Sequence, residues 1–253
     1  MGACWEVPQQ SKPKRKRSAL FAPLSFLIIC AALVFGMSVF FRVNGIEVEG
    51  NSLYSNEEII EASGIEQGDN LFFINRFSAI SRIFSKLPYV EKAVINRSLP
   101  NKLVIVVSES RAIACISAED GTWAIDRGCK LLSKVSGDEM RGLIRIEGLT
   151  PIAPEAGQII APGEAESPKV HYLSAILTQI DTLDLRDRIT YIDITGISNP
   201  SFDYLGRFTV KLGSNENVEY KFQCLLSAVD ALSEGDRGTL DLSIDKRAHL
   251  TYD

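Results

Sequence analysis

The chain has 253 residues, with 27 Lys/Arg against 32 Asp/Glu and a formal net charge of −5 at pH 7. This mildly acidic balance argues against a nucleic-acid-binding protein, which needs concentrated basic residues to bind phosphates. The five cysteines are irregularly spaced and the two histidines are far apart, so neither a disulfide framework nor a zinc site is expected. No other metal and no cofactor is predicted.

An uncharged apolar run covers residues 19–41 and follows directly on a basic tail. Residues 1–18 hold five Lys/Arg and one acid, which leaves 22 basic and 31 acidic residues after the run. As a helix the run would be roughly 34 Å long, enough to cross a hydrocarbon core of about 30 Å. It exceeds the apolar core of a cleaved secretory signal. The pattern predicts a cytoplasmic tail (1–18), a single transmembrane helix (19–41) in the plasma membrane and an extracytoplasmic remainder.

Residues 43–111 begin with signals for a strand and two helices. Alternation around Ile46 and Val48 predicts a strand. Ser55 and Glu58 form a capping box at the start of a helix that Gly64 ends. A second helix that ends at Pro88 is predicted from one apolar stripe of five residues: Phe77, Ile80, Ile83, Phe84 and Leu87.

Two β-rich runs complete this first module. Val90–Arg97 and Lys102–Glu109 flank a short loop that contains Pro100, which predicts a hairpin. The order is therefore β-α-α-β-β, with both helices on one face of a three-stranded sheet. Such a sheet leaves strand edges free to dock a strand of another chain.

Residues 112–253 predict a mixed β-rich module with two helices. Cys115 and Cys129 are predicted to be buried free thiols, although a bridge between them stays open. The helices are expected at 169–183 and 220–232. Strands are expected in five places: residues 121–128, 143–146, 189–195, 208–212 and 238–244.

The first module resembles a POTRA domain and, more narrowly, that of the FtsQ/DivIB family of bacterial cell division proteins. Three sequence patterns carry the resemblance: V-x-G-N at 48–51, L-P-x-V at 87–90 and R-x-x-P-N-x-L at 97–103. The family continues V-x-E-R-x-P-x-A, whereas residues 107–114 lack that proline. Residues 240–242 resemble the family's terminal I-D-L strand.

The resemblance implies an α+β protein that acts as a non-catalytic bitopic scaffold of the divisome and links early and late division proteins. It implies division proteins of the FtsB/DivIC and FtsL type as partners, a septal location and a part in controlling septal peptidoglycan synthesis. The last strand is expected to accept a partner strand. We therefore assign six partner-binding residues: Thr239, Leu240, Asp241, Leu242, Ser243 and Ile244.

A search for catalytic groups gives no convergent set. Two S-x-x-K matches occur, Ser11–Lys14 and Ser243–Lys246, but neither is expected at the start of a helix. Four aspartates between Asp181 and Asp193 alternate with arginines, as on a solvated surface. No enzyme and no small-molecule substrate is predicted. The alternatives left open are a POTRA-bearing membrane-anchored assembly or translocation factor and a wall-facing enzyme with an unrecognised site.

Overall fold

The computed structural model describes residues 21–161, 163, 166–243 and 248–252. Within these residues the chain is α+β, with five α-helices and two separate β-sheets. The predicted cytoplasmic tail lies outside the described residues.

Helix α1, Phe21–Phe40, precedes both sheets. Ten of its large apolar side chains are exposed, from Leu24 to Phe40. Among the described helices, none is both long and apolar enough to cross a membrane. The first two residues of the predicted span of 19–41 lie outside the described residues.

The first module has the predicted β-α-α-β-β order. Its sheet has the order β1-β3-β2, with β1 parallel to β3 and β2 antiparallel to β3. The five elements are β1 (Gly45–Glu49), α2 (Asn56–Ser63), α3 (Arg76–Lys86), β2 (Val90–Ser98) and β3 (Lys102–Glu109).

The start and end of α2 confirm the local signals. The Ser55 hydroxyl accepts a hydrogen bond from the Glu58 amide, and the Glu58 carboxylate accepts one from the Ser55 amide. Gly64 ends the helix at φ 63°, in the left-handed conformation that glycine adopts without steric cost.

The predicted apolar stripe of α3 is only partly buried. Ile83 and Leu87 belong to the core of the first module, but Phe77 is 83 % exposed. The predicted stripe is therefore not a buried face over its whole length. Phe77 lies in the first turn of the helix, and periodicity alone cannot tell a core face from an exposed one.

Glu109, at the end of β3, fixes the loop after β1. Its carboxylate accepts hydrogen bonds from the backbone amides of Ser52 (2.8 Å), Leu53 (2.7 Å) and Tyr54 (3.1 Å). Partial burial alone would raise the pKa of Glu109, but these bonds outweigh it and hold the pKa below its ordinary value. Its stabilising contribution is thus present above the ordinary pKa and is lost as the pH falls through the lowered one.

The second module is built on one nine-stranded mixed sheet, with the strand order β12-β11-β10-β9-β8-β7-β4-β5-β6. Two helices belong to it, α4 (Ser167–Thr182) and α5 (Val218–Asp230). The strands are β4 (Ala114–Ala118), β5 (Gly121–Ile125), β6 (Leu131–Val135), β7 (Ile144–Glu147), β8 (Tyr191–Asp193), β9 (Ser201–Tyr204), β10 (Phe208–Lys211), β11 (Gly238–Asp241) and β12 (His249–Tyr252).

Both predicted helices and all five predicted strands of this module are present, with shifted ends. Four strands were not predicted: β4, β6, β9 and β12. The helices pack on the sheet, and Tyr172 and Ile176 of α4 and Phe222 of α5 are fully buried in the core of this module. Cys115 and Cys129 are free and buried, as predicted, and burial raises the pKa of both thiols.

Polar contacts join the two modules at the start of β2. The Arg127 guanidinium donates to the Glu91 carboxylate at 2.7 Å and lies 3.6 Å from that of Asp181. The Lys130 ammonium donates to the Val90 carbonyl at 2.8 Å. Because one guanidinium bridges acids of both modules, the junction is held by directional contacts.

Candidate partner-binding surface

The six residues assigned to partner binding fall on and after β11. Thr239, Leu240 and Asp241 belong to the strand, Leu242 and Ser243 follow it, and Ile244 lies outside the described residues. β11 pairs in parallel with β10 on one side and antiparallel with β12 on the other. The expectation that this strand is a free edge was therefore wrong. Leu240 and Leu242 are also buried, so their side chains face the core.

The outer strand at this end of the sheet is β12, which was not predicted. Its register on β11 is set by four pairs, from Asp241↔His249 to Gly238↔Tyr252. A signal was present, because apolar Leu250 and Tyr252 alternate with polar His249 and Thr251. Four residues are too few for that alternation to stand out.

The pairing pattern shows which backbone groups of β12 point outward. On the side that faces β10, the Gly238 amide donates to the Arg207 carbonyl at 3.2 Å, and the Leu242 amide donates to the Lys211 carbonyl at 2.8 Å. Because backbone groups alternate along a strand, those of Thr239 and Asp241 point to β12 instead.

The partners of these two residues across the ladder are Thr251 and His249. The amides and carbonyls of Thr251 and His249 therefore face β11. Those of Leu250 and Tyr252 face away from the sheet, where no described strand pairs with them. This row of outward groups is the open edge of β12, and it is the kind of edge that accepts an added strand.

The side chains of β12 differ in burial. Leu250 is partly buried and packs against the core of the second module, which holds the strand in place. Tyr252 is 64 % exposed. The edge thus presents the Tyr252 phenol ring beside the outward backbone groups, while Leu250 packs inward on the core.

Gly238 allows the backbone of β12 to approach β11 closely. It has φ 146°, and a Cβ atom at this position would lie 2.1 Å from the Thr251 carbonyl oxygen and 3.1 Å from the Tyr252 Cα. No side chain fits in that space. The position of β12 therefore depends on this glycine.

The turn after β11 is fixed by Asp241, whose carboxylate accepts a hydrogen bond from the Ser243 amide at 2.8 Å. Partial burial alone would raise the pKa of Asp241, but hydrogen bonds from Ser243 and the charges of Lys211 and His249 lower it overall. The carboxylate is therefore ionised at neutral pH, which keeps the turn formed.

A second contact holds the neighbouring turn after β10. The buried Tyr172 hydroxyl donates to the Ser214 carbonyl at 2.7 Å, and the Lys221 ammonium donates to the same carbonyl at 2.6 Å. Burial raises the pKa of Tyr172, which remains a neutral donor. Helices α4 and α5 thereby fix the end of the sheet that carries β11 and β12.

The opposite end of the sheet is covered at the start of β6. The loop at 157–160 pairs with this edge. The Gly157 amide donates to the Leu131 carbonyl at 2.7 Å, and the Ile160 amide donates to the Cys129 carbonyl at 2.9 Å. The Tyr89 hydroxyl of the first module also lies 2.8 Å from that of Ser133 in β6. The start of β6 is therefore covered by backbone pairing, whereas no described segment pairs with the outer side of β12.

Among the described residues, the aspartates from Asp181 to Asp193 form no cluster that could hold a metal ion. Asp181 pairs with Arg127, Asp184 lies 3.9 Å from the Arg186 guanidinium, and Asp193 accepts from the Thr195 amide. Of the two S-x-x-K pairs, Ser11, Lys14 and Lys246 lie outside the described residues.

Comparison with known proteins identifies a domain family for the first module and relatives that span both modules. Residues 41–110 match the family model described as "POTRA domain, FtsQ-type". The chain is 27 % identical over 238 residues to cell division protein DivIB of Clostridium botulinum strain Hall, covering 92 % of this chain and 91 % of that protein. It is 30 % identical over 135 residues to DivIB of Bacillus subtilis strain 168, covering 53 % and 51 %. It is 24 % identical over 167 residues to cell division protein FtsQ of Corynebacterium glutamicum, covering 63 % and 74 %.

Proposed function

Because the chain belongs to the FtsQ/DivIB family of bacterial cell division proteins, we propose that it is a non-catalytic scaffold of the divisome. In this role it links early and late division proteins and helps to control septal peptidoglycan synthesis. The observation that carries the proposal is the open edge of β12, a site for binding protein and not for turning over a substrate.

The partners we propose are division proteins of the FtsB/DivIC and FtsL type. A partner segment adds to β12 as a further strand and bonds to the outward amides and carbonyls of Leu250 and Tyr252. These main-chain bonds supply affinity, and the exposed Tyr252 ring supplies selectivity. Residues 239–243 take part indirectly, since β11 holds β12 in place.

We propose that residues 19–41 anchor the protein in the plasma membrane as a single pass, with the N-terminus cytoplasmic and both modules outside. The uncharged run behind a basic tail supports this orientation. An anchor confines the open edge to the same thin layer as other membrane-bound division proteins, which raises their effective concentration. The protein is then expected at the division septum.

The proposal is tested by depleting the protein in its host and complementing it with two variants. Tyr252→Pro removes the outward amide, and a proline is tolerated on an edge strand where that amide faces solvent. Tyr252→Ala keeps the amide and removes only the ring. We expect depletion to give filaments that the parent chain fully rescues, Tyr252→Ala largely rescues and Tyr252→Pro does not.

A fluorescent fusion of each variant, checked for equal abundance, separates loss of binding from loss of protein. Diffuse membrane fluorescence and normal division on depletion would contradict the divisome assignment. Full rescue by Tyr252→Pro would contradict strand addition at β12.

A further inference from the structure

Four exposed apolar side chains lie at one end of the first module, the end from which α1 leaves. Phe73 is 77 % exposed and Phe77 is 83 % exposed. We call this group the anchor-side patch; its members are Phe72, Phe73, Phe77 and Leu99. None of them is needed by the proposed partner edge, which lies on the other module.

Backbone pairing directs the loop with Phe72 and Phe73 toward α1. The Val43 amide donates to the Asp69 carbonyl and the Leu71 amide to the Phe41 carbonyl, both at 2.8 Å. The two segments therefore run antiparallel, and the chain beyond Leu71 continues toward the helix. The ring of Phe72 packs edge-on against that of Phe41, with centroids 4.9 Å apart and planes at 87°.

The other members lie at the same end. The Asn44 amide donates to the Asn101 carbonyl at 2.8 Å, which places the β2–β3 turn, with Leu99, beside the exit of α1. Asn75 caps α3 just after the loop, so Phe77 is in the first helical turn. The patch thus combines one loop, the first turn of α3 and the β2–β3 turn around the junction of α1 with the first module.

Two arginines border the patch and are held by backbone carbonyls. Arg97 donates to the Phe72 carbonyl at 3.3 Å, and its guanidinium lies 5.6 Å from the centre of the Phe72 ring. Arg76 donates to the Ile95 carbonyl at 3.3 Å. The Arg97 guanidinium keeps positive charge next to the exposed Phe72 ring, and Arg76 directly precedes the exposed Phe77 in the chain. That combination is typical of a protein surface seated at the polar–apolar boundary of a bilayer.

We infer that the anchor-side patch inserts into the lipid interface and seats the first module on the outer surface of the membrane. The inference rests on the proposed membrane anchor. The patch is continuous with the exposed apolar side chains of α1 through the Phe41–Phe72 contact, so the same lipid phase covers both. Aromatic rings sit in the headgroup layer, and the arginines bind lipid phosphates.

This seating fixes the tilt of the first module on the bilayer. Because Phe41 and Val43 are paired with Leu71 and Asp69, the module follows α1, and a single helix can still tilt in the bilayer. Lipid contact at the loop with Phe72 and Phe73, at the first turn of α3 and at the β2–β3 turn restricts that tilt. Because polar contacts join the modules, the orientation of the open edge of β12 is then also restricted.

The test reconstitutes the full chain into vesicles of phosphatidylcholine and phosphatidylglycerol whose acyl chains are brominated. Phe73→Trp and Phe77→Trp place a quenchable indole in the patch, against the background of the two native tryptophans. The matched control is Leu53→Trp, at a site that is 59 % exposed. The Leu53 amide donates to the Glu109 carboxylate, at the end of β3 that lies far from the patch. Glu109 is roughly 23 Å along the strand from Lys102, at about 3.3 Å per residue.

For each variant we measure the bromine quenching in excess of that of the parent chain. We expect this excess to be at least threefold larger for Phe73→Trp and Phe77→Trp than for Leu53→Trp. Equal quenching at all three sites, in chains that still float with the vesicles, would overturn the inference and leave the anchor intact. A parent chain that does not float would overturn the anchor and the seating together. Unchanged thermal melting of each variant confirms that it is folded.

Discussion

Replacing Gly238 with alanine is expected to detach β12 from β11 and to weaken binding of the FtsB/DivIC-type partner by at least tenfold. The new Cβ would lie 2.1 Å from the Thr251 carbonyl oxygen, and this atom belongs to the backbone and has no side-chain freedom with which to move away. The strained φ of 146° adds a cost of order 1–3 kcal/mol. Partner binding by purified chains measures the effect.

Gly121 offers a matched control for this substitution. It has φ 133°, yet a Cβ added there would meet no atom within 4 Å. Gly121→Ala therefore carries a similar backbone strain without the clash, and it lies in β5, far along the sheet from β12. If Gly238→Ala and Gly121→Ala bound the partner equally well, the close packing of β12 on β11 would be refuted.

The largest expected loss of stability comes from Phe222→Ala. Phe222 is fully buried in α5 and stacks on Phe202 of β9, with ring centroids 5.6 Å apart and planes at 13°. Truncating a buried phenylalanine removes its transfer free energy and leaves a cavity, at a cost of about 3–5 kcal/mol. Urea unfolding followed by the fluorescence of the buried Trp123 in the same module measures it.

An exposed phenylalanine provides the comparison. Phe77→Ala removes the same atoms from a site that is 83 % exposed, so we expect a change within about 0.5 kcal/mol in detergent, away from lipid. Equal destabilisation by the two substitutions would show that α5 does not pack on the sheet as described.

Local signals predicted much of this fold from the sequence. The capping box at Ser55 and the glycine cap at Gly64 depend only on neighbouring residues, and the β2–β3 hairpin is closed by its own turn. Helices α4 and α5 have long enough apolar stripes to be recognised. In each case the signal comes from residues that are close together in the sequence.

The candidate site needed long-range information. Whether β11 is an edge or an interior strand depends on the four residues of β12, which follow it and pair beside it. Phe77 fits an apolar stripe equally well whether it packs on the sheet or faces outward. The order of strands in a sheet, and whether a given helix face packs on that sheet, depend on residues that are far apart in the sequence. A local pattern therefore does not predict them.

Amide hydrogen exchange along β12, with and without a saturating FtsB/DivIC-type partner, tests strand addition most directly. The amides of His249 and Thr251 already face β11, so they serve as internal controls and should change little. We expect the outward amides of Leu250 and Tyr252 to exchange freely in the unbound chain and at least tenfold more slowly in the complex. Unchanged exchange at both residues while the partner is bound would contradict docking at the open edge of β12.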